Sequence, residues 1–184
     1  MQVVITGARA ERAEAGGALD AIGTRPTADR VRESLFNILQ GGRFESRLAG
    51  TTVIDLFAGT GMVSFEFLSR GAASVTAVEL APKACRYMTK QAQALGTDDL
   101  HAVCANAWAY LERPLTQFDV VFADPPYDLP HLADLPVRVR DSGMVVPGGW
   151  FILEHGERTC VDHHPGFVLH RNYGHVHFSL FTFE

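Results

Sequence analysis

Cysteine is scarce in this sequence, and what there is lies far apart. Cys85, Cys104 and Cys160 are the only three and form no CxxC pair, so neither a disulfide framework nor a zinc site is indicated, and buried free thiols are expected. Long apolar runs are also missing, since no stretch approaches the roughly 18 residues that a membrane span requires. The opening MQVVITGARA has no basic segment ahead of its short apolar run, which argues against a cleaved secretory signal and for a cytoplasmic protein. Excess positive charge is absent: the net charge of −5 excludes a uniformly basic nucleic-acid binder. The charge is unevenly spread, with seven Arg against six acids in residues 1–48 and nine Lys and Arg against fifteen acids in the remainder. A polyanion is therefore expected to meet the N-terminal part. No low-complexity segment and no repeat at a fixed period is visible.

With 184 residues, 47% of them hydrophobic and 20% charged, the chain suits one sizeable soluble core. From Thr52 onward, short apolar runs alternate with longer amphipathic stretches: TVIDLFA, MVSFEFLSRG, SVTAVEL, PKACRYMTKQAQALG, HAVCAN, AWAYLERP, FDVVFAD and WFILEHG. Near-continuous strands separated by helical segments predict a doubly wound, Rossmann-like α/β domain with a mostly parallel sheet. Between His155 and Phe167 the chain is too polar and short for a crossover helix. FVLHR and HVHFSLFTF around Asn172-Tyr173-Gly174 instead predict an antiparallel hairpin, bringing the sheet to seven strands. Before Thr52, RPTADRVRESLFNIL reads as a helix capped by Thr27, with Val31, Leu35, Ile38 and Leu39 on one face. The division expected is residues 1–48 as a glycine-rich hairpin arm and helix, and 49–184 as one catalytic unit.

Four predicted strand ends carry polar residues. Asp55 precedes the loop LFAGTG, whose Gly59 and Gly61 let a backbone approach a ligand, although only these two glycines are present and a GxGxxG phosphate cradle is not formed. Glu79 closes the next strand, where an acid can accept from both hydroxyls of a ribose, or can be a solvated strand end. Asn106 can read an adenine edge, cap a helix, or do both. Asp124 ends the fourth, in VVFADPPYD, where two prolines stop the sheet. Four polar ends on the carboxyl edge of such a sheet mark a ligand site.

DLFAGTG, the Glu79 strand end and Asp124-Pro125-Pro126-Tyr127 together resemble a class I S-adenosylmethionine-dependent methyltransferase acting on amines. TRPTADRVRESLFNIL narrows the resemblance to the RsmD family, which methylates N2 of one guanine in bacterial small-subunit ribosomal RNA. The similarity runs from Val3 to about Glu154. It implies that Asp55, Gly59 and Gly61 line the methionine portion of the cofactor, Glu79 its ribose, and Asn106 with Ala107 its adenine, against which Leu80 packs. It also implies that the Asp124 carboxylate and the Pro125 carbonyl accept the two amine hydrogens, that Tyr127 stacks on the base, and that Asp124 helps remove the proton. Ribosomal RNA in assembled or partly assembled small subunits is the implied partner, met by a monomer.

Two departures from the family stand out: Asn106 where an aspartate is usual, and an arm, ARAERAEAGGALDAIG, with only Arg9 and Arg12 as cations. Arg25, Arg30 and Arg32 at the helix start offer phosphate contacts, or form a solvated face with intrahelical ion pairs. Phe36 reads as packing, while Asn37 reaches toward the cofactor. His163-His164 and His175-x-His177 lack a third ligand at metal-binding spacing, so no metal is expected, and Trp108 and Trp150 default to the core. The alternatives are methylation of adenine N6 in DNA or of a glutamine amide in protein, a non-catalytic RNA-binding module on the same fold, and a dinucleotide oxidoreductase.

Overall fold

The computed structural model describes residues 29–40, 48–113 and 116–184. Seven strands form one sheet in the order β3-β2-β1-β4-β5-β7-β6. β1 (Thr52–Leu56), β2 (Ser74–Glu79), β3 (Leu100–Cys104), β4 (Phe118–Ala123) and β5 (Val145–Gly156) run parallel. β6 (Phe167–Tyr173) and β7 (Val176–Thr182) form the terminal hairpin, and β7 enters antiparallel to both β5 and β6. This is the mostly parallel, seven-stranded sheet with an antiparallel C-terminal hairpin that the sequence predicts. No helix among the described residues is long and apolar enough to cross a membrane.

Each parallel crossover carries a helix: α2 (Met62–Ser69), α3 (Pro82–Leu95), α4 (Ala107–Glu112) and α5 (Leu135–Ser142), with α1 (Asp29–Gln40) ahead of the sheet. α3 starts on Pro82 and ends at Gly96, whose φ of 66° closes it in the left-handed conformation, a common stop signal. Two apolar layers sandwich the strands. On one face α1 and α2 bury Leu35, Phe36, Leu39 and Phe67 against Val53, Phe122 and Phe178. On the other, α4 and α5 bury Leu111, Leu135 and Val139 against Ile54, Phe151 and Phe181.

The structure revises several expectations. The buried stripe of α1 is Arg32, Leu35, Phe36 and Leu39, the spacing of one helical face. Arg32 is only 7% exposed because it occupies the first position of that stripe, so it is not a solvated cation. Phe36 packs edge-on against Phe67 at 4.9 Å with the Arg70 guanidinium 4.5 Å over its ring, and Asn37 is exposed and lies apart from the cavity walls. Thr27, Arg25, the arm and the Arg30 side chain lie outside the described residues.

The hairpin turn is the two-residue Gly174-His175, since Tyr173 and Val176 still pair. His175 therefore sits in the turn and does not share a strand face with His177. α5 follows from LPVRVRDS, a short amphipathic segment that the sequence reading left unassigned. Only Cys85 is a buried thiol; Cys104 and Cys160 are exposed, because β3 is an edge strand and Cys160 lies in the loop between β5 and β6.

Candidate active site

Parallel register levels the strand ends. Leu56 is paired with both Val78 and Ala123, Glu79 with Cys104, and Ala123 with Leu153, so the residues that follow converge on one edge. They enclose a cavity of about 590 Å³, within the range of small-molecule sites. Asp55, Gly59, Glu79, Leu80, Asn106, Ala107 and the whole of Asp124-Pro125-Pro126-Tyr127 line it. Gly61 does not. Its φ of 80° admits little but glycine, and a Cβ there would lie 2.8 Å from Met88 Sδ, so the missing side chain lets α3 pack against the loop.

The loop after β1 is a sequence of left-handed residues: Phe57 at φ 69°, Gly59 at 57° and Gly61 at 80°. For Phe57 this conformation is strained, by on the order of 1–3 kcal/mol, and its ring lines the cavity. The strain is held by Ala58 N–H donating to the Val78 carbonyl at 2.9 Å and Gly61 N–H to that of Ala58 at 2.8 Å. The Asp55 side chain is 1% exposed and accepts from Ser64 Oγ at 2.6 Å. Burial pushes its carboxyl up to about 7; the Ser64 bond opposes this, while the nearby Asp124 and Glu79 charges add to it.

Glu79 is pre-oriented by the backbone, its Oε2 accepting from Gly59 N–H at 2.8 Å and its Oε1 from Ala81 N–H at 2.7 Å. A carboxylate has about four lone-pair sites, so each oxygen retains capacity for a hydroxyl donor. Leu80 projects beside it, 65% exposed, so its side chain is available to a ligand and is not part of the core. Asn106 Oδ1 caps α4, accepting from Trp108 N–H at 2.9 Å and Ala109 N–H at 3.3 Å. The cap fixes the amide so that its NH2, a donor, is the group left for a ligand. Trp108 also lines the cavity, with Arg138 5.4 Å from its ring centre, so it is more than a core residue.

In the Asp-Pro-Pro-Tyr segment, Pro125 is buried and Asp124 and Tyr127 are half-buried. The Pro126 carbonyl accepts from Leu129 N–H at 2.9 Å and so is committed to the turn. Tyr127 Oη donates to Glu154 Oε1 at 2.9 Å. Glu154, near the end of β5 and next to Leu153, the partner of Ala123, is a cavity residue that the strand endings singled out from the sequence did not include. The signal was present: FILEHG closes a buried strand with an acid, as DL, VE and FAD do.

Residues 4–182 match the family model described as conserved hypothetical protein 95. The chain is 31% identical to ribosomal RNA small subunit methyltransferase D of Haemophilus influenzae, covering 84% of this chain and 85% of that one. It is 32% identical to the protein of the same name from Escherichia coli K12, over 73% and 66% of the two chains. Among solved structures, the yhhF methyltransferase of Escherichia coli superposes with a TM-score of 0.75 at 28% identity, covering 86% and 87%.

The chain belongs to the RsmD family of methyltransferases. Its methyl donor is S-adenosylmethionine, and the cavity fits that cofactor on its own chemistry. Three acids, Asp55, Glu79 and Asp124, interact electrostatically around it, suiting a ligand with a cationic amine and a sulfonium. Apolar surface at Phe57, Leu80 and Trp108 offers contact for a flat ring. Away from this RsmD-family site, Cys160, Asp162 and His163 bring possible ligand atoms within 4.8 Å of one another on an exposed loop, a grouping that the histidine spacings did not suggest.

Proposed function

We propose that this chain methylates the exocyclic N2 amine of a guanine in small-subunit ribosomal RNA, within assembled or partly assembled particles. One observation carries the chemistry: Asp124, Pro125 and Tyr127 line the same cavity as Gly59, Glu79 and Asn106, so acceptors for an amine adjoin the donor's site. The acceptor molecule is suggested by the names of the relatives.

A guanine N2 amine is a poor nucleophile because its lone pair is delocalised into the ring. The Asp124 carboxylate and the Pro125 carbonyl take its two N–H hydrogens, which opposes that delocalisation and fixes the nitrogen for in-line attack. The Pro125 carbonyl suits this role because that of Pro126 is engaged by Leu129. Proline fixes the direction of these acceptors before the substrate arrives. The Tyr127 ring supports the base, a contact worth about 1–3 kcal/mol in nucleic-acid complexes. As the new N–C bond forms, the bond between the methyl carbon and the donor's sulfur breaks with its electron pair left on sulfur, and the nitrogen gives up one hydrogen as a proton, which Asp124 takes and passes to water. The cofactor supplies an activated methyl group. When bound, its amine end would be held by Asp55, its ribose hydroxyls by Glu79, and its adenine by Leu80, Asn106 and Ala107.

The test is methyl transfer from labelled S-adenosylmethionine to small-subunit particles prepared from cells lacking the gene. Digestion and mass spectrometry of the RNA are expected to find one N2-methylguanosine. Label in protein, in DNA adenine or at no guanine overturns the reading.

A further inference from the structure

Tyr127 is held from the neighbouring strand by two contacts of different physical kinds. The first is polar: the hydroxyl donates to Glu154 Oε1 at 2.9 Å. The second is steric: the ring edge lies over Gly156, where a Cβ would come within 3.0 Å of Tyr127 Cδ2, closer than carbon atoms settle. Glu154 is 3% exposed, and an acid is a costly occupant of such a position. Its neighbours in β5, Ile152 and Leu153, are wholly buried hydrophobes, so packing alone does not call for a carboxylate there.

A tyrosine on a turn after two prolines can turn about two side-chain bonds. The bond to Glu154 fixes where its oxygen sits, and the gap at Gly156 fixes how closely the ring approaches β5. Together they determine the plane against which a flat acceptor would lie. Ordering that ring before the substrate arrives removes an entropy cost from the methyl-transfer complex.

We infer that Glu154 and Gly156 are positioning residues for methyl transfer, holding Tyr127 as a fixed wall on the acceptor side of the cavity. Glu154 Oε1 is engaged by the Tyr127 hydroxyl and Oε2 is buried, so Glu154 acts through Tyr127. The inference rests on the reading of Asp124–Tyr127 as the amine site.

The test compares Glu154→Ala, Glu154→Gln, Tyr127→Phe, Gly156→Ala and the double variant Glu154→Ala/Tyr127→Phe. The acceptor class is first established with the wild-type protein on RNA, DNA and protein fractions. A change of acceptor there overturns the proposed substrate but leaves the variant comparison intact on the acceptor found. Misplacement of a reacting group by about 1 Å costs about 100-fold. Glu154→Ala is therefore expected to lower kcat by about 10- to 100-fold, with cofactor affinity by calorimetry within about threefold. Glu154→Gln, whose amide oxygen still accepts from the hydroxyl, should recover most of that loss. The double variant should be no slower than the worse single one, and Gly156→Ala should reduce kcat without removing any charge.

Additive losses in the double variant overturn the inference, as does a Glu154→Ala rate within twofold of wild type. Equal loss of cofactor affinity and rate, with lowered thermal stability, also overturns it by showing that Glu154 merely supports the fold.

Discussion

Ser64 Oγ donates to Asp55 Oδ2 at 2.6 Å, across the first turn of α2 and beneath the floor of the cavity. This bond retains a carboxyl group at a site where burial favours its neutral form. Burial raises the Asp55 pKa from an ordinary 3.8 to about 7, so between these values the unfolded chain ionises while the folded one retains its proton. The contribution to stability is thus complete below about pH 4 and is lost as pH rises toward about 7. The interval corresponds to at most on the order of 4 kcal/mol. Asp55→Asn, which preserves an acceptor for Ser64, is expected to flatten this decline in unfolding measured without cofactor. A cationic ligand favours the ionised form, so cofactor affinity of the wild type should rise between about pH 6 and pH 8. An equal rise in Asp55→Asn would remove Asp55 as its source.

Asp124 is predicted to matter for transfer more than for cofactor binding. Asp124→Ala should lower methyl transfer by more than about 100-fold, the scale of a lost electrostatic or general-base group, while cofactor affinity changes by only a few-fold. Because Asp124 adds to the upward shift at Asp55, the same variant should move the pH midpoint of cofactor binding downward. Calorimetry across pH and single-turnover assays separate the two effects.

Asn106 presents a different case, because the structure shows which half of the amide is committed. Oδ1 is occupied by Trp108 and Ala109, leaving a donor toward a ligand whose adenine amine also donates. Asn106→Asp would retain the cap and present an acceptor instead. It is expected to tighten cofactor binding by about 3- to 10-fold, within the range of one added hydrogen bond. Weaker binding would mean that Asn106 reads a ring nitrogen of the adenine as a donor.

The order of strands and helices was legible because each parallel strand is a short run of Val, Ile and Phe ending in a polar residue. Asp55, Glu79, Asn106 and Asp124 could be placed from those endings alone. Glu154 lies two residues short of the end of its strand, before His155 and Gly156, and was overlooked because that ending lacks the dense turn chemistry of Asp124-Pro125-Pro126-Tyr127. Arg32 misled because a cation near a helix start suggests solvent; only the phase of the helix shows that residue 32 shares a face with Leu35, Phe36 and Leu39. At Gly61 a positive φ serves ligand approach and helix packing equally, and the second became visible only with the position of Met88. Long-range pairing escaped the sequence altogether, as with the histidines of β5, β6 and β7.

Those histidines form an ordered chain. His155 Nδ1 lies 2.9 Å from the Gly156 carbonyl, an acceptor, so Nδ1 carries the proton and Nε2 accepts from Ser179 Oγ at 2.8 Å. The same direction runs outward, with His170 Nδ1 at 3.2 Å from Ser179 Oγ and His177 Nδ1 at 3.0 Å from His170 Nε2. Burial lowers the pKa of His155 and of His170, and mutual repulsion within the cluster adds to it. Stability from this cluster is therefore full above about pH 6.5 and is lost as pH falls, opposite in sign to Asp55. His177→Asn removes one repelling partner and is expected to make the acid-side loss shallower between about pH 7 and pH 5. An unchanged slope in thermal unfolding would show that His177 does not contribute to the shifts at His155 and His170.

Gly61 supplies the final test, of packing alone. Alanine there meets two obstacles: a backbone φ of 80° and a Cβ 2.8 Å from Met88 Sδ. The first costs on the order of 1 kcal/mol or more, and overpacking a buried contact typically costs about 1–3 kcal/mol. Gly61→Ala should therefore destabilise the fold by about 2–4 kcal/mol. Trimming the obstacle in the double variant Gly61→Ala/Met88→Ala relieves the clash but not the backbone strain, and it adds the loss of a buried side chain. The coupling between the two changes, measured by denaturant unfolding, should thus be favourable by about 1–2 kcal/mol. Strict additivity would show that Met88 moves aside without cost and that strain in the backbone accounts for the glycine.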